Sequence, residues 1–118
     1  FFEYCEYIRK QYNATPGLIT QNMPMLKDKL ENWGIHNVVI CSSFNKIGYL
    51  MSPDLDTNIK SATVNDNSKY HLMAMSTLAS GAIPAEEAFE FVNRQNIGSI
   101  VFGASSRQNI EQTVSLIK

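Results

Sequence analysis

Cysteine and histidine are scarce, with two of each in 118 residues. Cys5 and Cys41 stand far apart, with no Cys-x-x-Cys and no paired histidine, so neither a disulfide framework nor a zinc site is spelled out. Two free thiols suit a reducing compartment and point to the cytoplasm. Long hydrophobic runs are also missing: none approaches the ~20 residues that cross a bilayer. No signal peptide opens the chain, and no basic amphipathic helix addresses a membrane surface. Neither sign of charge is in excess, since ten basic and eleven acidic residues leave a net charge of -1. That balance speaks against a nucleic-acid partner. There is no Ser-His-Asp set, no metal-ligand cluster, no complete nucleotide motif, no internal repeat and no interdomain linker.

What is present is an alternation. Short apolar runs occur at residues 18–20, 38–42, 71–78 and 99–103. Val38-Val39-Ile40 and Ile100-Val101-Phe102 are continuous rather than alternating, the pattern of parallel strands buried on both faces. Between the runs lie helical stripes. Leu26, Leu30 and Trp33 recur at helical spacing, and Gly34 follows as a C-terminal cap. Ala88, Phe91 and Val92 stand behind Pro84, which suits a first helical turn, with Glu86 and Glu87 near the positive end of the helix dipole. Ile110, Val114 and Ile117 form the last stripe, with Ser105 and Gln108 spaced as a capping box. The helix after Pro53 has only Leu55 and Ile59 as anchors, and residues 64–69 read as a loop.

The expected fold is α/β: a leading helix, then four parallel βα units in one domain over residues 1–118, with an open doubly wound sheet as the competing architecture. The length supports one core. It is about half of the ~250 residues of a complete (βα)8 barrel. The stripe Phe1, Cys5, Ile8, Tyr12 is under way at the first residue, so the chain reads as a piece of a longer one.

In parallel α/β folds, ligands bind at the C-terminal ends of strands. Four small or polar junctions fall there: Thr20-Gln21-Asn22, residues 42–46, residues 76–81 and residues 103–107. The last two are the more suggestive. Gly81 and Gly103 let backbone approach a ligand. Ser105 and Ser106 precede a helix whose free N–H groups can take an anion, and Arg107 adds a positive charge. Gln21, Asn45 and Lys46, on the earlier junctions, are candidates for substrate contact. Lys46 offers a charge to an anion or a carbonyl. His36 and His71 lie at the opposite strand ends and read as structural. Cys41 and one of Met73 and Met75 read as packing.

The stretch from Met75 to Gly81 resembles the seventh-strand segment of aldo-keto reductases, an aromatic followed by Ser-Pro-Leu-x-x-Gly. Residues 84–88 resemble the start of the helix that follows, and residues 99–106 resemble the eighth strand and its Gly-Ala-Ser-Ser-like turn. Phe44-Asn45 is similar to the aromatic-Asn pair that ends the sixth strand. The resemblance implies the C-terminal half of an aldo-keto reductase-like (βα)8 TIM barrel that holds NADP(H). On it, Ser76, Leu78, Gly103, Ser105 and Ser106 match cofactor-binding positions. Met75 stands where the family has its nicotinamide-stacking aromatic, and Thr20-Gln21 where it has a Ser-Asn pair. The family's catalytic residues belong to the other half of the barrel. The expected function is therefore a nucleotide- or phosphate-binding half, inactive alone. It would bind a dinucleotide or phosphorylated small molecule and self-associate through exposed sheet edges. Two alternatives stand beside it: a different TIM-barrel enzyme acting through Lys46, and a small α/β binding module for a phosphorylated small molecule.

Overall fold

The computed structural model describes residues 1–118. Helix α1 (Phe2–Tyr12) leads into strand β1 (Gly17–Thr20), helix α2 (Met23–Asn32), strand β2 (Val38–Ser43) and helix α3 (Leu55–Thr63). Strand β3 (Tyr70–Met75), helix α4 (Ala85–Asn93), strand β4 (Ser99–Ile100) and helix α5 (Arg107–Leu116) complete the chain. The strands form one sheet in the order β1-β2-β3-β4, every pair parallel. A doubly wound sheet would reverse direction at a switch point, and this order has none. With right-handed crossovers, a sequential order keeps the connecting helices on one face.

The core lies between that face and the helices. Val38 and Ile40 of β2 and Tyr70, Leu72 and Ala74 of β3 pack with Leu26 and Leu30 of α2, Ala62 of α3 and Val92 of α4. Each large aliphatic side chain buried here contributes about 2 kcal/mol. On the other face, Val39, Cys41 and Met73 are only half-buried, and Ile19 is exposed. The continuous apolar runs therefore do not mean strands covered on both faces. Helices shield one face alone.

Local chemistry sets the ends of the elements. After α2, Gly34 adopts φ +67°, its N–H reaches Glu31 O at 3.1 Å, and the N–H of Ile35 reaches Leu30 O at 2.9 Å. This paired motif closes the helix and drops Ile35 into the core beside Leu30. Asp54 caps α3 by accepting from the N–H of Thr57 at 2.7 Å. Ser106, not Ser105, caps α5, accepting from the N–H of Asn109 at 3.2 Å. The capping position is one residue later than the spacing of Ser105 and Gln108 suggests, so no reciprocal Gln completes a box. Pro84 sits at the N-cap of α4 rather than inside its first turn. Strand β3 stops at Met75 instead of running to Leu78, because Ser76 turns to φ +55°. Strand β4 has two residues, although the N–H of Val101 still bonds Ala74 O at 2.9 Å. No helix is long and apolar enough to cross a membrane.

Candidate functional site

The parallel sheet points the C-terminal ends of its strands to one side, and β3 and β4 separate there. Between them opens a cleft of about 400 Å³. One wall is the turn after β3, with Ser76, Thr77, Leu78 and Ser80, and the other is the segment after β4, with Val101, Phe102 and Gly103. Met75, the last residue of β3, also lines it.

The path of the β3 wall is set by its backbone. Ser76, Ala79 and Ser80 hold φ of +55°, +50° and +58°, and Gly81 holds +86°. Each left-handed non-glycine residue costs about 1 kcal/mol, which the surroundings must offset. Successive turns do so: the N–H of Ala79 bonds Ser76 O at 3.0 Å, and those of Gly81 and Ile83 share Leu78 O at 3.0 and 3.2 Å. Ala79 and Ile83 then bury themselves against Ala88 of α4, with Leu78 packed on this small cluster. Behind the wall, Asn45 is fully buried. Its amide donates to Tyr49 O at 2.8 Å and Ser76 O at 3.2 Å, and its oxygen accepts from the N–H of Tyr49 at 2.8 Å. The hydroxyls of Ser43 and Ser76 lie 3.4 Å apart.

Of the residues singled out in the sequence, the fold brings Ser76, Leu78 and Gly103 together in the cleft. Gly81 follows Ser80 directly and stands just outside the lining. Ser105, Ser106 and Arg107 follow Gly103 at the start of α5, outside the lining and exposed to solvent. Arg107 is 92% exposed, and its Nε donates to Glu111 at 2.9 Å. An exposed pair of this kind contributes little and gives way readily to a stronger anion. Gln21 is exposed at the end of β1, where its carbonyl accepts from the N–H of Ser52 at 2.8 Å. Asn45 has both ends of its amide committed to backbone and acts as a brace. Lys46 turns to the outer surface and pairs with Glu87 of α4. These three do not meet at the cleft.

Thr77, Ser80, Val101 and Phe102 belong to the site without having been singled out. Thr77 and Ser80 carried a signal, since they share a junction with Ser76 and Leu78. Val101 and Phe102 did not, because an apolar run reads as buried strand until the strand is seen to end at Ile100. The lining carries the hydroxyls of Ser76, Thr77 and Ser80, the Met75 thioether, the apolar side chains of Leu78, Val101 and Phe102, and no acidic, basic or thiol side chain. Its hydroxyls and backbone groups can exchange hydrogen bonds with a ligand, and its apolar side chains can pack against one. Elsewhere, His71 Nε2 lies 2.8 Å from Ser99 Oγ on the helix-free face. Burial pushes the Cys41 thiol above its ordinary pKa, which quiets it as a nucleophile. No three His, Cys, Asp or Glu side chains gather as a metal site. Comparison of the chain with protein-family models, with curated proteins and with solved structures finds no match.

Proposed function

We propose that this chain is the nucleotide- or phosphate-binding half of an aldo-keto reductase-like TIM barrel, and that alone it binds its ligand without turning it over. The ligand is a dinucleotide such as NADP(H) or a smaller phosphorylated molecule, seated in the cleft between the ends of β3 and β4. The observation that carries this reading is the convergence of Ser76, Leu78 and Gly103, from two distant segments, on one cleft at the C-terminal ends of parallel strands. Those segments are the ones whose sequence resembles the cofactor-binding strands of that family. A volume of about 400 Å³ lies in the range of small-molecule sites. The apolar side of a ligand would rest on Met75 and Phe102. A phosphate would lie at the start of α5, where free N–H groups and the Arg107 guanidinium favour an anion. A cytoplasmic location fits two cysteines that remain free, Cys5 buried and Cys41 half-buried.

The absence of a titratable group from the lining also favours a second reading, a small α/β binding module that uses the same cleft for a phosphorylated small molecule. Calorimetry with NADPH, NADH and inorganic phosphate tests both. The first reading expects NADPH to bind more tightly than NADH, and Arg107→Ala to weaken NADPH about tenfold, the loss of one charge-assisted contact. Phosphate binding without any dinucleotide binding supports the module. If none of the three ligands binds, both readings fail. Lys46→Met leaves binding unchanged on either reading, because Lys46 lies outside the cleft.

A further inference from the structure

Helices α2 and α3 are neighbours in the helix layer, and a groove of about 440 Å³ lies between them. Its walls come from consecutive elements of the chain, with β2 joining the two helices and β3 following the second. Lys27, Asp28 and Glu31 of α2 line it, and Lys60 of α3 and Asp66 face them across it. It shares no lining residue with the cleft after β3 and β4. Four of these five charged side chains are exposed, and Lys27 alone is buried.

Lys27 is the one buried lysine of the chain, 8% exposed. A buried ammonium is costly unless a counter-ion or several hydrogen bonds replace its water. Lys27 has a single hydrogen bond, from its nitrogen to Ser61 O at 2.6 Å. It forms no ion pair, whereas Lys10, Lys46 and Lys69 all pair with glutamates. Burial outweighs the pull of Asp28 and Glu31 and holds the amine below the ordinary lysine value. The neutral amine is the nucleophilic form of lysine. Ser61 O takes one N–H, and a neutral amine then keeps a second N–H and its lone pair.

We propose that Lys27 captures a small anionic aldehyde or ketone in this groove as an imine, with Lys60 holding the anionic group. The groove is of the size of small-molecule sites. Lys60 lines it, is exposed and forms no ion pair, so its charge is free for a ligand. The Lys27 nitrogen adds to the carbonyl carbon, and a C–N bond forms. The carbinolamine then expels the former carbonyl oxygen as water, which carries off both protons of the amine. Asp28 and Glu31, in the same lining, can relay those protons. The step consumes no oxidant or reductant.

Reductive labelling of the purified chain tests this. Glyoxylate and pyridoxal 5′-phosphate are the anionic probes, each with cyanoborohydride to fix the imine, and peptide mass spectrometry reads every lysine separately. At least one probe should label Lys27 about tenfold faster than Lys29, an exposed lysine of the same helix. Glyoxylate acting alone would assign a carboxylate to the ligand, and pyridoxal 5′-phosphate acting alone a phosphate. Lys60→Met changes an exposed side chain, so the fold should be kept. It should slow the labelling of Lys27 by the anionic probe about fivefold and leave labelling by uncharged propionaldehyde unchanged. Labelling of Lys27 no faster than that of Lys29 overturns the proposal without recourse to any variant. A Lys60→Met chain that labels as the wild type does overturns it as well. Neither result bears on the cleft, whose ligands are read by calorimetry.

Discussion

Asn45 and Tyr70 are polar side chains sunk in the core, and each is hydrogen-bonded to backbone of a neighbouring segment. Removing Asn45 takes the side-chain partners from the N–H and carbonyl of Tyr49 and leaves the Ser76 carbonyl with Ala79 N–H alone, and a buried unsatisfied group costs about 1–3 kcal/mol. Asn45→Ala is expected to lower the unfolding free energy by about 2–3 kcal/mol in urea titration. A loss below about 0.5 kcal/mol would show that Asn45 does not brace the cleft wall. Tyr70 donates its hydroxyl to Ile35 O at 3.0 Å. Burial, and then the nearby Glu31 carboxylate, push its pKa from 10.0 up to about 12. Between those values the native chain keeps a proton that the unfolded chain releases, so stability must fall as pH rises through that window and is unaffected by this group below it. In Tyr70→Phe this alkaline loss should be smaller. At neutral pH the same variant should be destabilised by about 1–2 kcal/mol, because the Ile35 carbonyl is left without its donor. Urea midpoints on the two sides of the window measure both effects.

Helices α2, α3 and α5 share one N-terminal device, a side-chain oxygen of Asn22, Asp54 and Ser106 that accepts a backbone N–H three residues on, and of the three caps only the carboxylate titrates in acid. Asp54, the cap of α3, has its carboxyl held below the usual range chiefly by the backbone N–H of Thr57. Its contribution is therefore present above the unfolded pKa of 3.8 and is lost as pH falls through the lower native value. Asp54→Asn keeps the capping oxygen and removes the titration, so it should flatten the acid limb of the thermal stability profile while leaving neutral stability nearly unchanged. An acid limb identical to that of the wild type would assign the loss to other carboxylates. At α5, two adjacent serines offered two capping phases. The phase is set by where Arg107 begins to turn, and that choice excluded the reciprocal bond from Gln108. Between α2 and α3, Lys27 is buried along most of its length while its ammonium reaches Ser61 O at 2.6 Å. Burial lowers its pKa against the pull of Asp28 and Glu31. A residue that reads as solvated surface thus ties two helices together.

Stability across the molecule is uneven. Strands β2 and β3 are paired over six residues, and both feed the core. Strand β4 is paired over two, and α5 buries nothing. Amide exchange at low protein concentration should therefore be slowest in β2 and β3 and fastest in α5, with the difference spanning most of the global unfolding free energy. Uniform protection through α5 under those conditions would contradict this gradient. The gradient also places the start of α5, where a phosphate is proposed to lie, on the least stable part of the chain. The cleft wall after β3 is held far more firmly, by its turns and by Asn45.

The sequence by itself determined the elements and their order. Spacing at period 3.6, β-branched runs, Gly34 after α2 and the acidic start of α4 are local signals, and local backbone physics reads them directly. It also placed Ser76, Leu78 and Gly103 at strand ends, because βα junctions follow from the order of the elements. The tertiary structure alone decided which of those residues meet. Asn45 and Lys46 stand side by side in the chain, yet one is sunk behind the cleft and the other pairs with Glu87 on the outer surface. Exposure was decided in the same way. Val39, Ile19 and Val101 are as apolar as Val38 and Ile40, and nothing in their own sequence says that helices will cover only one face of the sheet. Which side of a strand is covered depends on where every crossover goes, and that is a property of the assembled chain rather than of any segment of it.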